Sequence, residues 1–232
     1  MVDIDHLKDV FVKSSLLLSL PTLALVLSAC GPAKLELPAE PVARAATCGV
    51  VAAAGARQGG TGAVDEALPI DFQGRVLHYA LLAAVQDGRY SQDAAAAVAQ
   101  QMPVLQPEVT KGQWQELAAS CDTAFPKAAK IEPVELPADS LKTQVGCYQL
   151  GSFLWTALQS QSDDYAKDLG KYRELRVTMD PKIGAGFARD GIRSDEAIKS
   201  FRKKAMAEMI ELGSPIPVMN ACTDRYLSND AA

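Results

Sequence analysis

Five thiols and one imidazole carry most of the chemistry open to this chain. Its 232 residues hold Cys30, Cys48, Cys121, Cys147 and Cys222, an odd number with no Cys-x-x-Cys spacing. A dithiol redox centre or a zinc ribbon needs that spacing, so neither is indicated. Past residue 29 the only histidine is His78. A lone imidazole excludes a His-based metal site, and no Gly-x-Ser-x-Gly elbow supplies a nucleophile for it to activate. Set among Leu77, Tyr79 and Leu81, His78 reads as a partly buried residue on a helix flank. Asp65, Glu66 and Asp71 are the densest carboxylate group of the first half, and paired carboxylates could serve as acid and base in glycoside cleavage. Their position just before a helix starting near Ile70 is better explained by favourable interaction with its N-terminal dipole.

Two glycine-rich stretches, Gly55 to Gly62 and Gly184 to Arg189, have the glycine content of phosphate-binding loops. The first lacks the Gly-Lys-Ser/Thr ending, and neither follows a strand, so both are expected to be plain connections. Arg202-Lys203-Lys204 reads as a solvated face.

Leu27-Ser28-Ala29-Cys30 closes an apolar run that begins near Leu16. Containing Pro21 and shorter than the ~20 residues of a spanning helix, the run suits the core of a signal peptide. The four residues resemble the lipobox of bacterial lipoproteins. That resemblance implies cleavage before Cys30, acylation of its thiol and new amino group, and a chain tethered to a membrane. Gly31 after the cysteine resembles the pattern that sorts such proteins to the outer membrane. Asp3, Asp5 and Asp9 suit a signal n-region poorly, whereas a start at Val12 would leave Lys13 to supply its positive charge. Translation is therefore expected to begin at Val12 rather than Met1.

Removing residues 1–29 leaves about 200, enough for one ordinary domain or two small ones. Without Lys8, Lys13, Asp3, Asp5 and Asp9, the totals of 23 basic and 28 acidic residues become 21 and 25, a net charge of −4. A mildly acidic chain with no basic stripe argues against a nucleic-acid partner.

An internal repeat organises that remainder. Leu37-Pro38-Ala39-Glu40 with Cys48 recurs as Leu136-Pro137-Ala138-Asp139 with Cys147, at an offset of 99. Gly112, Leu117, Cys121 and Phe125 recur as Gly213, Val218, Cys222 and Tyr226, at an offset of 101. A period near 100 residues makes each copy a small domain rather than a solenoid unit. In an export compartment thiols pair. With Cys30 taken by lipid, four cysteines allow three connectivities, and an ancestral copy with two cysteines selects Cys48–Cys121 and Cys147–Cys222.

Apolar spacing in both copies is helical. Cys147, Leu150, Gly151, Leu154, Trp155 and Leu158 share one face, as do the blander Cys48, Val51, Ala52 and Gly55. Further helices are expected over Ile70 to Val85, after a Ser91 cap, over Asp164 to about Thr178, and after a Ser194 cap as far as Gly213. The closing stripes are Trp114, Leu117, Ala118, Cys121 and Phe125, and, behind Ser214-Pro215, Val218, Met219, Cys222 and Tyr226. Alternating strand patterns with Asn-Gly or Asp-Gly hairpin turns are not expected.

The resulting expectation is all-α: two duplicated four-helix units of about 100 residues, each with a disulfide from first helix to last. The segments are a signal peptide (1–29), an acylated cysteine and spacer (30–41), repeat 1 (42–125), a Pro-rich linker (126–139) and repeat 2 (140–232). Such a chain is expected to act without cofactors or catalysis. It would be a lipid-anchored module on the periplasmic face of the outer membrane, held by acyl chains on Cys30 and binding another envelope protein. Alternative readings are a periplasmic helical chaperone or an inhibitor or immunity-type protein, and then a cell-envelope hydrolase.

Overall fold

The computed structural model describes residues 35–58 and 66–228, and eight α-helices form within them. Four precede residue 125: α1 (Pro41–Gln58), α2 (Ile70–Ala83), α3 (Gln92–Lys111) and α4 (Ala118–Ala124). Four follow residue 140: α5 (Leu141–Leu158), α6 (Ala166–Arg189), α7 (Asp195–Leu212) and α8 (Pro215–Tyr226). Short 3-10 turns at Trp114–Leu117 and Asp163–Tyr165 lead into α4 and α6. Cys30 and the signal segment, Asp65, and Gly59 to Gly62 lie outside the described residues.

Serines start three of the helices by accepting otherwise orphaned amides: Ser91 from Ala94, Ser140 from Thr143 and Ser194 from Ala197. At α1 the Glu40 carboxylate does the same work, accepting the amides of Val42 and Ala43 at 3.0 and 2.6 Å. Those two bonds hold its carboxyl below the usual carboxylate range. Ser214 precedes α8 as expected, but its hydroxyl makes no cap bond; Pro215 at the first turn needs none at that position.

Three expectations are corrected. A two-residue hairpin joins α2 to α3, with β1 (Val85–Gln86) antiparallel to β2 (Arg89–Tyr90). Its turn is Asp87-Gly88, both at positive φ (50° and 66°), an Asp-Gly hairpin turn where the sequence pattern leads to none being expected. Second, the helix expected to stop near Thr178 runs on through Pro181 to Arg189, and Gly184 to Arg189 is helix rather than loop. Close packing explains one of its glycines: a Cβ on Gly186 would sit 2.5 Å from Leu141 Cδ1. Third, the closing stripe of the first half is split, its Trp114 and Leu117 lying in the 3-10 turn and only Cys121 being buried in the seven-residue α4.

Each half packs two helices on its first. α1 lies against α2 and α3, and α5 against α6 and α7. Cys48–Cys121 then ties α1 to α4 and Cys147–Cys222 ties α5 to α8, with Cα separations of 5.4 and 5.9 Å. The halves differ in bulk. α5 buries Leu150, Leu154 and Leu158 in a core shared with Tyr172, Leu175, Met179, Met209 and Met219, whereas α1 brings Ala45, Ala46, Val50 and Val51 to smaller clusters.

α2 belongs to both. Val76, Tyr79 and Ala80 pack within the first half, while Leu77 and Leu81 join the core of the second. Every residue from Val76 to Leu81 is therefore buried, and the described residues form one compact unit.

Candidate functional site

His78 sits in the seam between the halves, fully buried on α2. Its Nε2 donates to the Ile210 carbonyl of α7 at 2.9 Å, and Nδ1 is buried without a partner. Burial pushes its pKa down to about 4, opposed by the Ile210 bond and Glu211 and assisted by Lys127. The ring is thus neutral at pH 7 and reaches no cleft. The half-buried flank expected from the sequence is corrected to complete enclosure, because α2 is covered on two sides.

Other contacts cross the same seam. Tyr165 donates its hydroxyl to the Leu68 carbonyl, and Lys127 pairs with Glu211. Gly74 lets α8 approach: a Cβ there would lie 2.4 Å from Ile216 Cγ1. Arg225 on α8 donates to the carbonyls of Leu136 and Pro137, and Tyr226 donates to Asp139 Oδ1 at 2.7 Å, fixing the start of the second half to its end. In the first half the Leu-Pro-Ala-acid motif is held instead by Arg44, which donates to the Pro38 and Ala39 carbonyls.

Clefts open along the helices, and three of them lie mainly between α-helices. One of about 380 Å³ lies over the Cys48–Cys121 bridge, walled by Phe72, Tyr79 and Trp114. Its polar groups are already engaged: Arg75 donates to the Ala128 carbonyl at 2.7 Å and to Asp122 at 3.3 Å. A second, of about 400 Å³, runs along α1 and α3 between Val50, Leu68, Val76, Met102 and Trp114, with Arg57 at its side. The third, about 320 Å³, follows the seam, where Leu77, Ala80 and Tyr90 of the first half face Phe153 and Met206 of the second. Tyr90 stacks edge-on against Phe153, and burial raises its pKa to about 12. These volumes fall at the low end of the roughly 300–1,000 Å³ typical of small-ligand sites.

Of the carboxylate group, Glu66 and Asp71 line none of these clefts. Glu66 and Asp71 are exposed, Asp71 in the first turn of α2 as the dipole argument requires. Arg202 is half-buried, and Lys203 and Lys204 face solvent on α7. Among the described residues no group of three or more His, Cys, Asp or Glu could hold a metal ion, and no helix is long and apolar enough to cross a membrane. Leu68, Arg75, Met102 and Lys127, which shape the clefts and the seam, carry no motif and are identifiable only once the helices are assembled.

No protein-family model, no curated protein and no solved structure matches the chain.

Proposed function

We propose that this chain is an acylated, envelope-tethered binding module, non-enzymatic, built from two copies of one helical unit and anchored through Cys30 to the periplasmic face of the outer membrane. The observation that carries the reading is the fate of His78, whose ring is spent as a neutral strut between α2 and α7. The three clefts described are walled mainly by apolar side chains, whereas a fourth, between residues 126–135 and the α7–α8 junction, is lined by Lys127, Lys130, Glu132 and Glu135; in the first, half-buried Arg75 is tied to the Ala128 carbonyl and paired with exposed Asp122. Surfaces of that composition recognise partners by shape and burial rather than by proton transfer.

The two-copy reading is supported by recurring detail. Each half has four α-helices, the first packed against the second and third, a bridge closing 73 or 75 residues, and a serine-capped third helix that follows a positive-φ glycine, Gly88 or Gly191. Each first helix also carries a glycine into which a methionine of the third packs, Gly49 under Met102 and Gly146 under Met209.

Growth in labelled palmitate tests the tether. Wild-type chain takes up label and Cys30→Ser does not; label persisting in Cys30→Ser overturns it. Complementation of a deletion strain tests the rest. His78→Gln and amide substitutions at Asp65, Glu66 and Asp71 leave complementation intact, and its loss with stable protein present would return an enzyme to the front.

A further inference from the structure

The cleft of about 400 Å³ along α1 and α3 is a trough, because the side chains that α1 turns to it are small. Gly49, Ala53 and Arg57 recur at every fourth position of α1 and so share a face, as do Met102, Gln106 and Thr110 on α3. Eight residues of helix separate Gly49 from Arg57 and Met102 from Thr110, which makes each wall about 12 Å long. The two ends differ. At one, the Met102 side chain fills the space that a Cβ on Gly49 would take. At the other, Trp114 Cζ3 would lie 3.8 Å from a Cβ on Gly55, which places Trp114 at the Arg57 end.

Charge is equally one-sided. Among the described residues that line the trough, Arg57 is the one charged side chain and none is a carboxylate. Its Nη1 reaches the Ala53 carbonyl only at 3.5 Å, and its Nε is buried without a partner. No ion pair among the described residues involves it. A charged donor left dry and unpaired is costly, and an anionic acceptor relieves that cost. Away from Arg57 the walls are Val50, Leu68, Val76 and Met102, which favour hydrocarbon over water. The other two helix-walled clefts lack this combination. In the first, Arg75 is already held by Asp122 and the Ala128 carbonyl, and the seam cleft is lined by no charged side chain.

We infer that the trough binds a single-chain carboxylic acid of the medium-chain fatty acid class, its carboxylate accepting from Arg57 Nε and its tail lying along α1 towards Met102. Charge complementarity selects the head, and a narrow apolar trough closed by Met102 selects one short tail. The site lies wholly in the first half. It goes beyond the binding-module reading and requires neither the tether, nor the repeat, nor a second protein.

Titration calorimetry of the full chain carrying Cys30→Ser, purified without detergent so that no other amphiphile competes, tests it with decanoate, decanol and decyltrimethylammonium below their micelle concentrations. Decanoate binds at one site per chain. Decanol, with the same tail and no charge, binds about tenfold or more weakly, and the ammonium more weakly still. In the same background Arg57→Gln lowers decanoate to the level of decanol and leaves decanol unchanged, while Ala53→Leu fills the trough and removes both. Circular dichroism checks that each variant is folded, and Arg57→Gln alone decides the matter if Ala53→Leu is not. Decanoate that fails to bind, decanol that binds as tightly, an Arg57→Gln chain that keeps its preference for decanoate, or a folded Ala53→Leu chain that binds unchanged overturns the proposal. Each of those results leaves the palmitate-labelling and complementation tests of the binding module untouched.

Discussion

The imidazole of His78 has nowhere to put a second proton. Nε2 already donates to the Ile210 carbonyl, Nδ1 is enclosed with no acceptor, and Lys127 adds positive charge nearby that Glu211 offsets. The folded ring therefore titrates near pH 4 and the unfolded one near 6.5, so the unfolded chain binds the extra proton first as pH falls. Stability is full above about pH 6.5, declines below it, and has lost about 3 kcal/mol from this group once pH is below about 4. Urea unfolding at about pH 7 and about pH 4.5 checks this: wild type should lose about 2–3 kcal/mol more than His78→Gln, whose amide keeps the bond to Ile210 and does not titrate. Equal losses would remove His78 as the cause. Glycines give a second comparison at this scale. A Cβ on Gly146 would lie 2.5 Å from Met209 Cγ and 2.9 Å from the Ala205 carbonyl oxygen, while one on Gly170 meets nothing within 4 Å. Gly146→Ala should destabilise by about 1–3 kcal/mol through overpacking, and Gly170→Ala should stabilise by about 0.5–1 kcal/mol through helix propensity, both read from urea midpoints.

Elements are where sequence and structure agree most and where their departures have identifiable causes. The stripes through Cys147 and Cys222 show their buried face because one side of each helix meets one core, whereas α1 is buried all round from Ala45 to Val51 and Gly55 of its expected stripe is exposed; the serine caps mark starts by a local bond. Gly184-Ala185-Gly186 misleads because glycine punctuates most chains, whereas here Gly186 admits Leu141 and the helix survives. Pro103, Pro107 and Pro181 likewise sit inside helices, each removing one amide donor on an exposed face where water can satisfy the freed carbonyl. Asp87-Gly88 was hidden by strands only two residues long, too short to show alternation. The clefts were not legible at all, since they depend on how Leu68, Met102 and Trp114 meet across three elements. Disulfides follow from the same unequal packing. Bridges closing 73 and 75 residues are each worth about 4 kcal/mol in the chain-entropy model, so the entropic losses match. The surroundings do not: Cys121 lies on a seven-residue helix, while Cys222 lies on α8 among Met219, Val218 and Tyr226. Replacing Cys48 and Cys121 by Ala should therefore release α4 and raise its hydrogen exchange at pH 7, while the same change at Cys147 and Cys222 leaves α8 docked with a lowered Tm. Equal loosening of both closing helices would show that the cores differ less in strength than in size.

At the scale of the whole molecule, α2 couples the halves that the bridges close separately. Leu81 is fully buried, belongs to the first half by sequence, and packs in the core of the second. Leu81→Ala should cost about 2–5 kcal/mol, the range for truncating an enclosed leucine whose surroundings relax only in part. If the halves were independent, native-state hydrogen exchange would show faster opening only in α1 to α3. Because α2 lies against α7 and α8, and Gly74 brings Ile216 into contact, the variant should lose protection in α7 and α8 as well. The solvent-exposed Lys127–Glu211 pair crosses the same seam and serves as the control, since removing it by Lys127→Met should change stability by no more than about 1 kcal/mol. Loss of protection confined to the first half in Leu81→Ala would mean that the seam is an apposition of two separately stable units. Loss across it would make α2 the shared strut, and would explain why the one histidine past residue 29 is enclosed there instead of lining a cleft.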